Sequence, residues 1–284
     1  MNRFEIIDGR CVVPEGVTEI LEEEFQGCEE LVEVVLPQSI RKIGASAFCW
    51  CYKLKKINIP HGVSVIEPFT FCDCCNLESI TLPSTVKELG RLAFAWCKKL
   101  PKIDIPNSVR KICDGAVSYC YSIKSIYIPN TVTEIEDSPV VGCNRLASIE
   151  VDAANPNYRA EGNCCLTKDG KTLVFGCKTS SIPQGVEHID RWAFGRCKRL
   201  KHIEMPQSLK TVGEFAFYEC LNLMEVRLNE GLTTIETWAF GGCEHLDSIE
   251  IPSTVTKIEQ CAFDYCPCWK KIILMDSYEN PENF

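Results

Sequence analysis

The sequence predicts a β-rich solenoid, right-handed and curved, in which ten coils of 23 residues stack and a hairpin insertion interrupts the stack. Three columns of residues carry that prediction. Prolines stand at 14, 37, 60, 83, 106 and 129 and again at 183, 206 and 252, with Asn229 in the remaining slot. Cysteines keep the same step at 28, 51, 74, 97, 120 and 143 and then at 197, 220, 243 and 266. Phenylalanines do so at 25, 48, 71 and 94 and at 194, 217, 240 and 263.

The stretch Cys243 to Tyr265 shows one unit, C-x-x-L-x-x-I-x-I-P-x-x-V-x-x-I-x-x-x-A-F-x-x. Its I-x-I alternates as a short half-buried strand does. Proline ends that strand because it has no N–H for a neighbouring ladder. V-x-x-I is a second extended piece, and A-F-x-x-C is a tight turn or a short 3₁₀ segment. One coil cannot bury its own apolar side, so coils must stack, with parallel strands paired and identical side chains laddered inside.

These residues resemble the leucine-rich repeats of the BspA-like type, whose unit reads L-x-x-I-x-I-P-x-x-V-x-x-I-G-x-x-A-F-x-x-C. The resemblance covers residues 12 to 274 apart from one insertion. The glycine after the second isoleucine survives at Gly44, Gly90 and Gly213 and is replaced by Glu67, Glu136, Glu236 and Glu259, which is expected to alter the turn in those coils. The resemblance implies a leucine-rich-repeat solenoid engaged in adhesion or cell-surface interaction.

Along the chain, residues 1–13 carry two apolar runs split by Asp8-Gly9, a hairpin turn signal, and are read as a cap over the open end of the core. Residues 14–151 form the first repeat block, whose last coils drift: Val117 and Val140 replace phenylalanine, and Pro139 replaces alanine. Residues 152–181 break the beat. There Asp169-Gly170 separates Cys164-Cys165-Leu166-Thr167 from Thr172-Leu173-Val174-Phe175 as a hairpin that projects from the solenoid or splices into it. Residues 182–274 form the second block, with Trp269 in a leucine slot that suits the closing of a core end, and 275–284 form a polar tail.

Composition excludes some function classes. The chain has 284 residues, 45% of them hydrophobic, and a net charge of −9. No basic run marks a phosphate-binding surface, so nucleic acid is not an expected partner. The first residues lack the apolar core of a signal peptide, and no later stretch is long enough for a membrane span. The sequence as written therefore reads as cytoplasmic, and as cell-surface or secreted if a signal peptide has been removed.

Ten of the twenty cysteines are the repeat column, read as a buried ladder of reduced thiols beneath the turns. In the patch Cys49-Trp50-Cys51 and Cys72-Asp73-Cys74-Cys75, Cys49 and Cys72, like Cys51 and Cys74, are one period apart and raise the alternative of a four-thiolate zinc site, against which C-x-C lacks the usual C-x-x-C spacing. The histidines His61, His188, His202 and His245 fall on variable positions and do not cluster, and His245 near Cys243 lacks an orienting third group. Neither an enzyme nor a cofactor is expected.

The expected contact residues lie on the outside. Aromatic residues precede the ladder cysteine at Trp50, Trp96, Tyr119 and Tyr265, either shielding the turns or anchoring a partner. The outward strand positions, among them Lys56, Asn58, Thr81, Asp104, Tyr127 and Glu150, differ from coil to coil over a fixed interior. Such a surface suits a protein or glycan ligand held by a non-enzymatic interaction protein or an intracellular scaffold; a zinc- or redox-dependent cysteine protein is the third reading.

Overall fold

The computed structural model describes residues 3–268 and 273–274. Trp269 and the polar tail 275–284 lie outside them. The chain forms two compact units, one holding residues up to Leu146 with Val151–Pro156, the other Ala147–Glu150 with residues from Asn157 onward. Both are stacks of β-coils with a spacing of about 23 residues.

In every coil the V-x-x-I piece contributes a two-residue strand whose isoleucine, valine or leucine points inward. In the first unit the strand Glu19–Ile20 pairs in parallel with Lys42–Ile43 at Glu19↔Lys42 and Ile20↔Ile43. The strands from Val65–Ile66 through Glu134–Ile135 form a second parallel run in the same 23-residue register. Interior side chains from successive coils thus meet like with like, and Ile20, Ile43, Ile66 and Leu89 are fully buried.

The second unit corrects the expected number of coils. Residues 158–175 form an antiparallel meander of the strands Tyr158–Glu161, Cys164–Thr167 and Thr172–Phe175. Thr172–Phe175 then pairs in parallel with His188–Ile189, placing Leu173 opposite Ile189, which in turn faces Val212, Ile235 and Ile258 through successive strands. Leu173 therefore supplies a rung of the isoleucine column, and the insertion splices into the stack. About eleven turns result instead of ten. Periodicity missed the extra rung because the sequence reaches it from a meander and not from a 23-residue step.

The I-x-I strand is formed at Glu33–Val35, Lys56–Ile57 and Ser125–Ile128 in the first unit and at His202–Glu204 and Glu225–Arg227 in the second. Residues 79–82 and 102–105 keep the apolar alternation but are not strand, so the expected ladder is interrupted there. At the start of the first unit, Ile6–Ile7 and Arg10–Val12 make an antiparallel hairpin around Asp8 and Gly9, both at positive φ. Arg10–Val12 adds in parallel to Glu33–Val35, and Phe4 stacks on Phe25 with centroids 6.0 Å apart.

Two aromatic stacks run through the cores. Phe25, Phe48, Phe71 and Phe94 are spaced 5.2, 5.6 and 5.4 Å apart with nearly parallel rings. Phe194, Phe217, Phe240 and Phe263 follow at 5.0, 5.1 and 5.5 Å. Gly176 lies against this second stack: a Cβ there would come within 2.1 Å of the Phe194 ring. Asn155 occupies the slot one period after Val132 and is fully buried, its amide donating to the carbonyls of Pro129 and Val132 at 2.7 and 3.0 Å.

Candidate interaction surface

The turn side of each coil shows how the outward residues are held. In the A-F-x-x-C segment alternate amides bond within the coil and to the next coil. Ala47, Cys49 and Cys51 donate to the carbonyls of Gly44, Ser46 and Phe48, while Ser46, Phe48 and Trp50 donate to Pro68, Thr70 and Cys72. These are successive turns rather than a 3₁₀ helix. The geometry demands a left-handed residue twice per coil, at Ser46 and Trp50 and their equivalents. Glu23, Phe69, Leu92, Trp192, Phe215 and Trp238 fill the first column with φ between 52 and 59°; Asp73, Trp96, Tyr119, Arg196, Glu219 and Tyr265 fill the second with φ between 50 and 59°. Bulky residues in this region are uncommon and strained.

The glycine-to-glutamate exchanges change something other than the turn. Gly44, Gly90 and Gly213 do not have positive φ. Their need is close approach, since a Cβ would meet backbone of the preceding coil at 2.4 to 2.6 Å. At three of the four glutamate positions the carboxylate accepts an amide of the preceding coil: Glu136 from Asp114, Glu236 from Glu214 and Glu259 from Thr237, at 3.0 to 3.1 Å.

Cysteine suits its column because it is small and a donor. Cys51, Cys74, Cys97 and Cys120 each donate to the phenylalanine carbonyl 26 residues earlier, at 3.0 to 3.3 Å. Cys220, Cys243 and Cys266 do the same in the second unit. Burial pushes the Cys51 and Cys143 thiols up to about 12 and the Cys74, Cys97, Cys120 and Cys220 thiols well above their ordinary value. All twenty cysteines are present as thiols.

These directions separate the residues considered for a zinc site. Cys51 and Cys74 point into the core, whereas Cys49 and Cys72 pack with Ala95 in a separate outer cluster. The four thiols therefore do not converge on one point, and among the described residues no group of three or more side chains is placed to hold a metal ion. His245 is likewise turned away from Cys243: its Nδ1 lies 2.6 Å from the Leu221 carbonyl, while the Cys243 thiol is buried on Phe217.

The expected contact residues are exposed, in two places. Asn58, Thr81, Asp104 and Tyr127 follow one another at the 23-residue step along the strand side of the first unit, with Lys56 beside them, and Glu150 is exposed in the second unit. Not all are free. Asn58 is tied to the coil before it, accepting from Leu36 N and donating to Leu36 O, both at 2.8 Å. Tyr127 donates its hydroxyl to Asp152 at 2.7 Å, and Asp104 pairs with Lys102 at 2.6 Å. A depression of about 460 Å³ opens on this side, lined by Asn58, His61, Ser79, Thr81 and Pro83 among others. It covers the segment where strand pairing lapses.

On the turn side, Trp50 is 46% exposed, whereas Trp96 and Tyr119 are half-buried and stack on each other at 4.2 Å. Sequence reasoning missed the larger aromatic group of the second unit. There Trp192 stacks on Phe215 at 4.6 Å, Tyr218 meets Trp192, Phe215 and Trp238 edge-on, and Tyr265 stacks on Trp238 at 6.0 Å. The 23-residue step of Trp192, Phe215 and Trp238 was available as a signal, but only the position directly before cysteine was read as an aromatic slot. A hydroxyl column was missed too: Ser39, Thr85, Ser108, Thr131, Ser208 and Thr254 each donate to a carbonyl of the preceding coil at 2.6 to 2.8 Å.

The other strand column is occupied by charge pairs. Lys111 reaches Glu134 and Glu136, both at 2.7 Å, and Glu187 is held between Lys210 and Lys171. Those two ammonium groups hold the Glu187 carboxyl down to about 2.

A family model described as BspA type Leucine rich repeat region, with six copies, matches residues 10–94, 41–161 and 175–283. A comparison with curated proteins finds no match. Among solved structures, the pneumococcal vaccine antigen PcpA is similar with a TM-score of 0.77 at 22% identity, over 90% of this chain and 69% of that one. A leucine rich cell surface protein from Faecalibacterium prausnitzii is similar with a TM-score of 0.75 at 23% identity, over 97% of this chain and 89% of that one. At these identities the likeness is one of fold. No helix among the described residues is long and apolar enough to cross a membrane.

Proposed function

The chain belongs to the BspA type leucine-rich repeat family, and from that premise we propose that it is a non-enzymatic interaction protein holding a protein or glycan on the strand side of its first unit. One observation carries this reading. Over an interior that repeats residue for residue, the exposed column changes from Asn58 to Thr81, Asp104 and Tyr127, and it borders a depression of about 460 Å³. A repeat that keeps its core and varies one exposed column presents an extended recognition surface. Family membership and the likeness to a leucine rich cell surface protein of Faecalibacterium prausnitzii support the adhesive form of this function.

The test is site-specific photo-cross-linking in the full chain. A photoreactive amino acid at position 81 should capture partner, whereas the same group at exposed His188 should not. Glycan arrays probed with the wild type and with Lys56→Ala/Thr81→Ala cover the carbohydrate case. Capture at 188 alone, or array binding indifferent to the double substitution, would remove the strand side of the first unit from the function.

A further inference from the structure

Trp50 and Trp96 occupy the second left-handed column of the first unit two coils apart, and Asp73 stands between them. Trp50, Asp73 and Trp96 share one backbone geometry, with φ of 62, 58 and 59°. Their amides donate in turn to the carbonyls of Cys72, Ala95 and Ser118 at 2.8, 2.8 and 2.9 Å, so the column is held in register. Side chains at neighbouring positions of this column touch. Trp96 stacks on Tyr119 at 4.2 Å, a Cβ at Gly142 would lie 2.7 Å from the Tyr119 ring, and Arg196 meets Glu219 at 2.9 Å in the second unit. The short Asp73 side chain between two indoles therefore leaves a notch, floored by the cluster of Cys49, Cys72 and Ala95 on which Trp96 packs.

The notch holds a carboxylate without a countercharge. Among the described residues the Cys75 thiol donates to Asp73 Oδ1 at 3.3 Å, and no lysine or arginine pairs with Asp73. Trp50 is nearly half exposed, and no described ring stacks on it. Phe48, Phe71 and Phe94, two residues earlier in the same three turns, step by 5.6 and 5.4 Å. Asp73 is thus one such step from each tryptophan, and a cation at its level lies within the reach of about 6 Å over which ring faces attract positive charge. The second unit builds the equivalent contact from its own residues. There Arg196, in the same column, lies 5.7 Å from the Tyr218 ring while pairing with Glu219. The first unit has the rings and the carboxylate, and none of its described residues brings a guanidinium to them.

We propose that Trp50, Asp73 and Trp96 receive an arginine side chain of a partner protein, at a site separate from the strand-side surface. A guanidinium is planar and weakly hydrated, stacks on aromatic faces and offers a carboxylate two parallel N–H donors. An ammonium is compact and strongly hydrated, and gains less from a slot between two rings. The net charge of −9 adds a longer-range pull on a basic partner.

The test is NMR of the full chain, labelled with nitrogen-15 at its tryptophan indoles and titrated with N-acetyl-arginine amide. The Trp50 and Trp96 signals, assigned by the signal lost in each of Trp50→Phe and Trp96→Phe, should shift together and saturate while those of Trp192 and Trp238 stay. Asp73→Asn, whose asparagine tolerates the left-handed backbone, should weaken binding roughly tenfold. N-acetyl-lysine amide should bind the wild type several-fold less tightly. No saturable shift at the two indoles, equal affinity in Asp73→Asn, or equal affinity for the lysine probe would overturn the site. Should Asp73→Asn fail to fold by circular dichroism, Trp50→Gly, suited to φ 62°, decides: the shift at Trp96 should be lost, and its persistence at wild-type affinity would overturn the notch.

Discussion

The Cys120 thiol donates to the carbonyl oxygen of Phe94 at 3.1 Å, and that same carbonyl accepts the amide of Cys97 at 3.2 Å. The bond joins the cysteine and phenylalanine columns across one coil plus three residues, which is why the two columns keep step in the sequence. Cys120→Ala removes the donor and leaves a small void. A loss of about 1 to 2 kcal/mol in urea unfolding is expected, from the bond and the missing sulfur together. A variant as stable as the wild type would show that the thiol is only a space filler.

The same burial makes stability depend on alkaline pH. Folded Cys51 and Cys143 have their pKa values raised from 9.0 to about 12. The folded state therefore holds protons that the unfolded chain releases above pH 9. This contribution is complete below about pH 9 and is lost between pH 9 and 12. Urea midpoints should fall steadily from pH 9 to 11, and the fall should shrink in Cys51→Ala/Cys143→Ala. An equal slope in that variant would assign the alkaline loss to other groups.

Phe94 is fully buried and stacks on Phe71 at 5.4 Å. Phe94→Ala should cost ~3–5 kcal/mol. A cost below about 1 kcal/mol, the scale of surface changes, would place the phenylalanine column outside the core.

Trp50 sits at φ 62° with nearly half its surface exposed. Both Trp50→Ala and Trp50→Gly delete the ring, so their difference reports the backbone. In ordinary backbone glycine is the less stable of the two by roughly 0.4–1 kcal/mol; here the order should reverse, with glycine ahead by about 1 kcal/mol. Thermal unfolding of the pair decides, and alanine ahead would mean that the turn relaxes out of the left-handed region in solution.

Features that repeat in residue type were legible from the sequence, because one physical need recurs at one spacing. The stacked phenylalanines, the cysteine ladder and the strand ending at proline all follow from that rule. Features in which different residues meet the same need were not. The left-handed columns hold Glu23, Phe69 and Trp192 in one and Asp73, Arg196 and Tyr265 in the other, a mixture with no chemical signature. Glu136 replaces glycine by capping an amide instead of leaving room for the backbone. The rung at Leu173 was hidden because its strand arrives from a meander. On the strand side exposure was readable, but the tie from Asn58 to Leu36 was not, since alternation gives a side chain's face and not its partner.

If interior columns set stability and the exposed strand column of the first unit sets binding, the two must separate. Lys56→Ala/Thr81→Ala, with the photoreactive amino acid moved to position 104 of the same column in both it and the wild type, measured for urea unfolding and partner capture is the most direct test. Unfolding should stay within about 0.5 kcal/mol of the wild type, as for ordinary surface changes, while capture at the strand side is lost. Capture that persists at wild-type level in the folded variant would contradict the assignment of binding to that surface.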